Sequence, residues 1–361
     1  MLWNDLLFRA KTQIPHSDWE RDLFEFVKLW DGPDDFIEVK TSGSTGLPKL
    51  IRHKKEAMRQ SATRTCDFLG LQPGMRALLC LSTRNIAGMM MVVRAFVRDL
   101  DLIVAPPNSH PLRYFDEPMT IDFCAMVPAQ VYNSVKDDDE RLKLFNIRNI
   151  IIGGAPVSYA LQHEISRMPG HVWATFGMTE TMSHIAMKRL NGESPVEDYR
   201  LLEGVTIETG KKGNLVINAP YLSDKSIVTN DLVEITGTDT FRWLGRADHV
   251  INSGGKKIFP ESLEAKIAQA VSMIFGSHNE STQRYFIAAV SHERLGDVPV
   301  LVVEHPAPSD TEKEENMSRL QHELSTILPR HEMPREIRYV AKFTETPTGK
   351  IIRSATMKKK I

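Results

Sequence analysis

From about residue 75 to about residue 176, short apolar runs alternate with patterns of helical period, and this rhythm constrains the fold more than any other feature. The candidate strands are Arg76–Leu81, Leu102–Ala105, Ile121–Val127, Asn149–Ile152 and Val172–Phe176. Each is too short for a stable helix, while Ile86–Val97 and Ser158–Met168 carry helical patterns between them. A strand, a helix and a second strand in succession bring the two strands parallel, with the helix covering one face. The expectation is an α/β fold built on a largely parallel sheet, preceded by an amphipathic opening rich in Trp3, Trp19 and Trp30.

Beyond Gly192 the pattern changes to short alternating strands such as Gly213–Asn218 and Thr240–Leu244, broken by Gly, Pro and Asn, which reads as a β-rich subdomain. After Asp248 come a Gly254-Gly255 turn, a helix from Pro260, strands at Tyr285–Val290 and Pro299–Val303, and a helix over Glu312–Leu328. This is a small α+β unit. We therefore expect a large N-terminal domain over residues 1–247 and a second domain over 248–361.

A chain of 361 residues with 42% hydrophobic and 25% charged residues can bury a large core and is not kept disordered by its composition. Lys and Arg total 45 against 46 Asp and Glu, so no general attraction for nucleic acid or anionic lipid arises. Cys66, Cys80 and Cys124 are too scattered for a disulfide framework or a zinc cage and fit a cytoplasmic setting. The most apolar later stretch, Ile86–Val97, is interrupted by Arg94, so no membrane span is expected.

The string Thr41-Ser42-Gly43-Ser44-Thr45-Gly46-Leu47-Pro48-Lys49 concentrates hydroxyls and glycine amides in one turn and ends on an ammonium group. Glycines let backbone N–H groups converge on an anion, hydroxyls add donors, and Lys49 adds a point charge. It is not a Walker A loop, which needs Gly-Lys followed by Ser or Thr. The reading is a phosphate-binding loop.

That loop resembles the signature of the adenylate-forming superfamily of acyl-CoA synthetases, firefly luciferase and peptide-synthetase adenylation domains. Further segments resemble the superfamily's motifs in the same order: Gly153-Gly154-Ala155-Pro156-Val157-Ser158, then Thr175-Phe176-Gly177-Met178-Thr179-Glu180. Thr229-Asn230-Asp231 stands where relatives have Thr-Gly-Asp, and Gly245-Arg246-Ala247-Asp248 matches a hinge motif. Ser253-Gly254-Gly255-Lys256, Phe259-Pro260-Glu261, His292–Asp297 and Thr346-Pro347-Thr348-Gly349-Lys350 complete the series.

The resemblance implies ATP, Mg²⁺ and coenzyme A as reaction partners of a small carboxylic acid. Lys350 would be the cation that lets a carboxylate approach the α-phosphate, with Thr179 bonding that phosphate and Glu180 holding Mg²⁺. Gly154, Ala155 and Pro156 would wall the adenine and acyl sites, with Thr175, Phe176, Gly177 and Met178 opposite. Phe176, in place of the usual Tyr, would stack on adenine. Asp231 and Arg246 would take the ribose hydroxyls, and Asp248 would be the pivot on which the small domain turns.

Within the superfamily, Met178-Thr179-Glu180-Thr181-Met182-Ser183-His184 followed by Leu190-Asn191-Gly192 resembles the 2-succinylbenzoate–CoA ligase branch. An acid with a second carboxylate calls for a buried cation or amide, and Arg84, Asn85, Arg94 and His184 are the candidates. Other aryl or acyl acids, and a nucleotide-binding module without catalysis, are the competing readings. Two departures stand out: Arg84-Asn85 replaces an aromatic-His pair, and only residues 1–40 precede the phosphate loop. Set beside the superfamily, the short start leads us to expect that part of the usual first subdomain is absent, with the acyl and coenzyme A walls altered and surface exposed for self-association into a homo-oligomer.

Overall fold

The computed structural model describes residues 1–40, 50–117, 119–193, 196–276, 283–346 and 351–359. The phosphate-loop string Thr41–Lys49 and the lysine segment Pro347–Lys350, with the expected site residues they carry, therefore lie outside the described residues.

Two helices open the chain, α1 (Trp3–Thr12) and α2 (Asp18–Asp31). Ser17 caps α2 by accepting a hydrogen bond from the Glu20 N–H at 3.3 Å, and Leu23, Phe24, Phe26, Val27 and Trp30 form its buried face. β1 (Phe36–Lys40) and β2 (Leu50–Lys54) pair antiparallel, and β2 leads into α3 (Lys55–Phe68).

The alternating region then forms β3 (Arg76–Leu79), α4 (Ile86–Arg98), β4 (Asp101–Val104), β5 (Ile121–Met126), α5 (Pro128–Lys136), α6 (Asp138–Phe145), β6 (Ile147–Ile152), α7 (Tyr159–Ile165) and β7 (His171–Gly177). These strands pair parallel in the order β4-β3-β5-β6-β7, as the rhythm requires. Helix α7 stops short of the expected Met168 because its last turn tightens: the Met168 N–H bonds to the Ile165 carbonyl, and Ser166 Oγ donates to the His163 carbonyl.

The β-rich stretch comprises β8 (His184–Arg189), β9 (Tyr199–Leu201), β10 (Thr206–Thr209), β11 (Asn214–Asn218), β12 (Ile227–Ile235) and β13 (Thr240–Arg246). It is continuous with the parallel strands. β8 pairs antiparallel with β7, so a single 11-stranded sheet runs β10-β11-β12-β13-β9-β8-β7-β6-β5-β3-β4. One core lies between α2, α3, α4 and one face of this sheet, and a second lies under α5, α6 and α7 on the other face. Each fully buried Leu, Val, Ile or Phe contributes roughly 1.5–3 kcal/mol by leaving water.

Residues beyond Ala247 build a separate five-stranded sheet from β14 (Ile251–Ser253), β15 (Lys256–Ile258), α8 (Pro260–Phe275), β16 (Tyr285–His292), β17 (Gly296–Glu304), α9 (Asp310–Leu324) and β18 (Ile337–Val340), followed by α10 (Arg353–Met357). Helix α9 begins two residues before the expected Glu312. Ser309 and Glu312 cap it reciprocally, with the Ser309 N–H bonded to Glu312 Oε2 at 2.8 Å. Helix α8 and β16–β18 enclose a core of their own. No helix among the described residues is long and apolar enough to cross a membrane.

Candidate active site

The motif segments sit where an open parallel sheet offers a crevice, in the turns after the carboxyl ends of β6 and β7. Thr175 on β7 donates Oγ to the Ile152 carbonyl of β6 at 3.1 Å. A Cβ on Gly153 would come within 2.5 Å of that hydroxyl, so the turn after β6 accepts only glycine there. Gly154, Ala155 and Pro156 follow as an exposed rim, and Ser158 caps α7 behind them through the Leu161 N–H at 3.2 Å.

After β7, Gly177 lies so close to the returning strand that a Cβ would meet the Ser183 carbonyl at 2.4 Å. Residues Thr179–Thr181 then form one 3₁₀ turn. The Met178 N–H bonds to Thr181 Oγ1 at 2.9 Å, and Met182 turns the chain with φ of 61°. Phe176 is half-buried, edge-on to Phe241 at 5.2 Å and to Tyr199 at 5.5 Å. An aromatic wall fixed by two other rings can stack on a base without reorganising.

Glu180 is exposed at the turn, and the residue acting on it is one that sequence reasoning missed. His53, on β2, is buried, and its Nε2 has no hydrogen-bond partner among the described residues. Burial pulls the His53 pKa down, against the opposing pull of Glu180 and the Thr179 backbone. A neutral imidazole beside an exposed carboxylate leaves the Glu180 oxygens as hard ligands, and such a donor fits Mg²⁺. The acidic cluster of His110, Asp137 and Glu140 is different, because Arg113 already pairs with both carboxylates at 2.6 and 3.2 Å.

On the antiparallel half of the sheet, Asp231 of β12 faces Arg246 of β13 as a cross-strand partner. Trp243 Nε1 donates to Asp231 Oδ1 at 3.0 Å, and the Arg246 guanidinium lies 3.9 Å from Oδ2. Burial raises the Asp231 pKa, with Trp243 and Arg246 pulling the other way. Arg246 also reaches Asp248 at 3.5 Å.

The candidates for the acid pocket separate. Arg84 is exposed and pairs with Asp22 at 2.7 Å, and Asn85 is exposed at the start of α4, so neither joins the buried polar group. Arg94 and His184 do. Arg94 Nη2 donates to Ser183 Oγ at 2.6 Å, and Ser183 Oγ lies 3.2 Å from His184 Nδ1. His184 Nε2 lies 3.1 Å from Thr65 Oγ1, which donates to the Ser61 carbonyl at 3.2 Å.

Only one proton order satisfies this relay: Arg94 to Ser183, Ser183 to His184 Nδ1, His184 Nε2–H to Thr65, and Thr65 to Ser61. His184 is then neutral, consistent with burial and Arg94 both driving its pKa well down. The Arg94 guanidinium is fully buried, and burial lowers its pKa to about 10, so it stays a cation at neutral pH. Its Nε has no partner, and it forms no ion pair among the described residues. His184 pairs with Gly177 across β7 and β8, so this polar chain adjoins the end of β7 that carries the Thr175–Glu180 motif.

A parallel sheet with this turn after β7, followed across Gly245–Asp248 by a small α+β unit, is the architecture of an adenylate-forming enzyme. The chain belongs to the AMP-binding enzyme family, whose model matches residues 32–222. A 2-succinylbenzoate–CoA ligase from Haemophilus influenzae is 25% identical over 327 residues, covering 84% of this chain and 68% of that protein. The crystal structure of an acyl-CoA synthetase (AMP-forming)/AMP-acid ligase II-like protein from Dyadobacter fermentans is 35% identical, with 97% of each chain covered and a TM-score of 0.62. The o-succinylbenzoate CoA synthetase of Bacillus subtilis, in complex with its acyl-adenylate intermediate, shares the fold at a TM-score of 0.69 and 17% identity, over 90% of this chain and 69% of that one.

Proposed function

We propose that this chain activates a carboxylic acid with ATP, forming an acyl-adenylate and pyrophosphate, and then passes the acyl group to coenzyme A with release of AMP. The acid is a dicarboxylate of the 2-succinylbenzoate kind. The observation that carries the choice of acid is Arg94: a buried guanidinium that, among the described residues, has an unpartnered Nε and no carboxylate to neutralise it. An isolated buried cation costs several kcal/mol unless an anion meets it, and the spare carboxylate of such an acid is the matching anion. Similarity to 2-succinylbenzoate–CoA ligases supports the same reading.

Phe176 stacks on the adenine in this account, Asp231 and Arg246 take the ribose hydroxyls, and Thr179 bonds the α-phosphate. Glu180 would hold Mg²⁺, which when bound would neutralise charge on the triphosphate. The Thr41–Lys49 loop cradles the phosphates, and residues 248–361 turn about Asp248 to present Lys350. At about 4 Å and an effective dielectric near 20, one such charge lowers the approach of two anions by roughly 4 kcal/mol.

Pyrophosphate release with 2-succinylbenzoate, benzoate and fatty acids, followed by a thiol screen, tests the reading. Lys350→Ala should slow acyl-AMP formation about 1000-fold. Absence of AMP formation with every acid would leave only a nucleotide-binding module.

A further inference from the structure

One carboxylate touches both the hinge and the segment that follows Lys350. Glu261 opens α8, and Glu264 lies on the same helix face one turn later. Arg353, at the start of α10, forks across the two: its Nη1 lies 2.8 Å from Glu264 Oε1, and its Nη2 lies 3.0 Å from Glu264 Oε2 and 3.4 Å from Glu261 Oε1. Arg353 also donates to the Ile287 carbonyl at 3.2 Å. The Ile287 N–H in turn bonds to Glu264 Oε1 at 2.7 Å. Upstream of Lys350, Glu345 pairs antiparallel with Ile351 and binds Arg284, so both flanks of the lysine segment are anchored to the small sheet.

Glu261 also reaches the other way. It receives His249 Nδ1, and its Oε2 accepts from the Arg246 N–H at 3.4 Å. The same oxygen occupies the space a side chain would need at Gly245, where a Cβ would come within 2.4 Å of it. Gly245 and Arg246 precede the Asp248 pivot, whereas Glu264, Ile287 and Arg353 follow it. Rotation about Asp248 must therefore break the contacts of Glu261 to Gly245 and Arg246 while leaving the Arg353 fork on Glu264 intact.

We infer that Glu261 is a positioning residue that latches the hinge to the lysine segment, releasing one arrangement of the two domains for the other, while Arg353 is the tether that travels with Lys350. This rests on the two-step ligase reading above. A latch on one arrangement sets the balance between the steps rather than the chemistry of either.

The test measures two half-reactions on the full chain: acyl-AMP formation from acid and ATP, and thioester formation from preformed acyl-AMP and coenzyme A. Glu261→Gln should shift the ratio of the two rates about tenfold, the size expected from losing hydrogen bonds to a charged group. Hydrogen exchange across residues 244–250 should rise while exchange in β17 stays unchanged. Glu261→Asp keeps the charge but withdraws it from Arg246, and should shift the ratio in the same direction if the Gln variant folds poorly. Equal slowing of both half-reactions, or an unchanged ratio, overturns the latch. Failure of the unmodified chain to form any acyl-AMP overturns the ligase reading instead.

Discussion

Two buried or half-buried arginines in this molecule live in opposite surroundings. Arg353 has two carboxylates and a carbonyl within reach, so its donors are spent inside the protein. Arg94 is more deeply buried and, among the described residues, meets one serine hydroxyl and the face of the Phe123 ring at 6.0 Å. The difference separates a cation that holds structure from a cation that has no counter-ion among the described residues.

The largest expected effect lies at Arg353. Replacing it with Met strands Glu261 and Glu264 without their cation, and unfolding free energy should fall by about 3 kcal/mol. Denaturant titration checks this, and an unchanged midpoint would make the fork decorative. The same substitution at Arg94 should act with the opposite sign, since it removes an unpaired buried charge and fills the space with an apolar chain. A gain of about 1–2 kcal/mol is expected, and a loss would mean that Arg94 already has a counter-ion in the folded chain or that its bond to Ser183 outweighs the buried charge.

The smallest effect concerns Glu264. Burial pushes its carboxyl up to about 7, against the pull of Arg353 and the Ile287 N–H. A carboxyl whose folded pKa lies above its unfolded value favours folding at low pH, and that contribution is lost as pH rises through the folded value. Relative to Glu264→Gln, the unmodified chain should lose about 1 kcal/mol between pH 6 and pH 8. A pH-independent difference between the two melting curves would show that Glu264 ionises at its ordinary pKa.

Much of this fold was legible in the sequence because period and length decide it locally. Ile121–Met126 and His171–Gly177 are short apolar runs bounded by turns, and the helix of Ile86–Arg98 repeats its apolar face. What the pattern could not show is that β8 returns antiparallel onto β7, making the β-rich stretch part of the same sheet. That pairing is long-range and leaves no local mark. The acid-pocket candidates illustrate the same limit. Arg84 and Arg94 are equivalent as letters in a string, and only the docking of α2 gives Arg84 its Asp22 partner while α3 and β8 close over Arg94. His53 and Thr65 were invisible because their partners lie more than a hundred residues away. The glycines were readable for a different reason, since Gly153 and Gly177 sit where any Cβ would collide.

The most direct test of the account compares 2-succinylbenzoate with benzoate in acid-dependent pyrophosphate release, for the unmodified chain and for Arg94→Met. Loss of a charge-assisted pair should weaken the KM for the dicarboxylate about 30-fold while leaving benzoate unmoved. Equal effects on both acids, or none on either, would contradict the assignment of Arg94 to the second carboxylate.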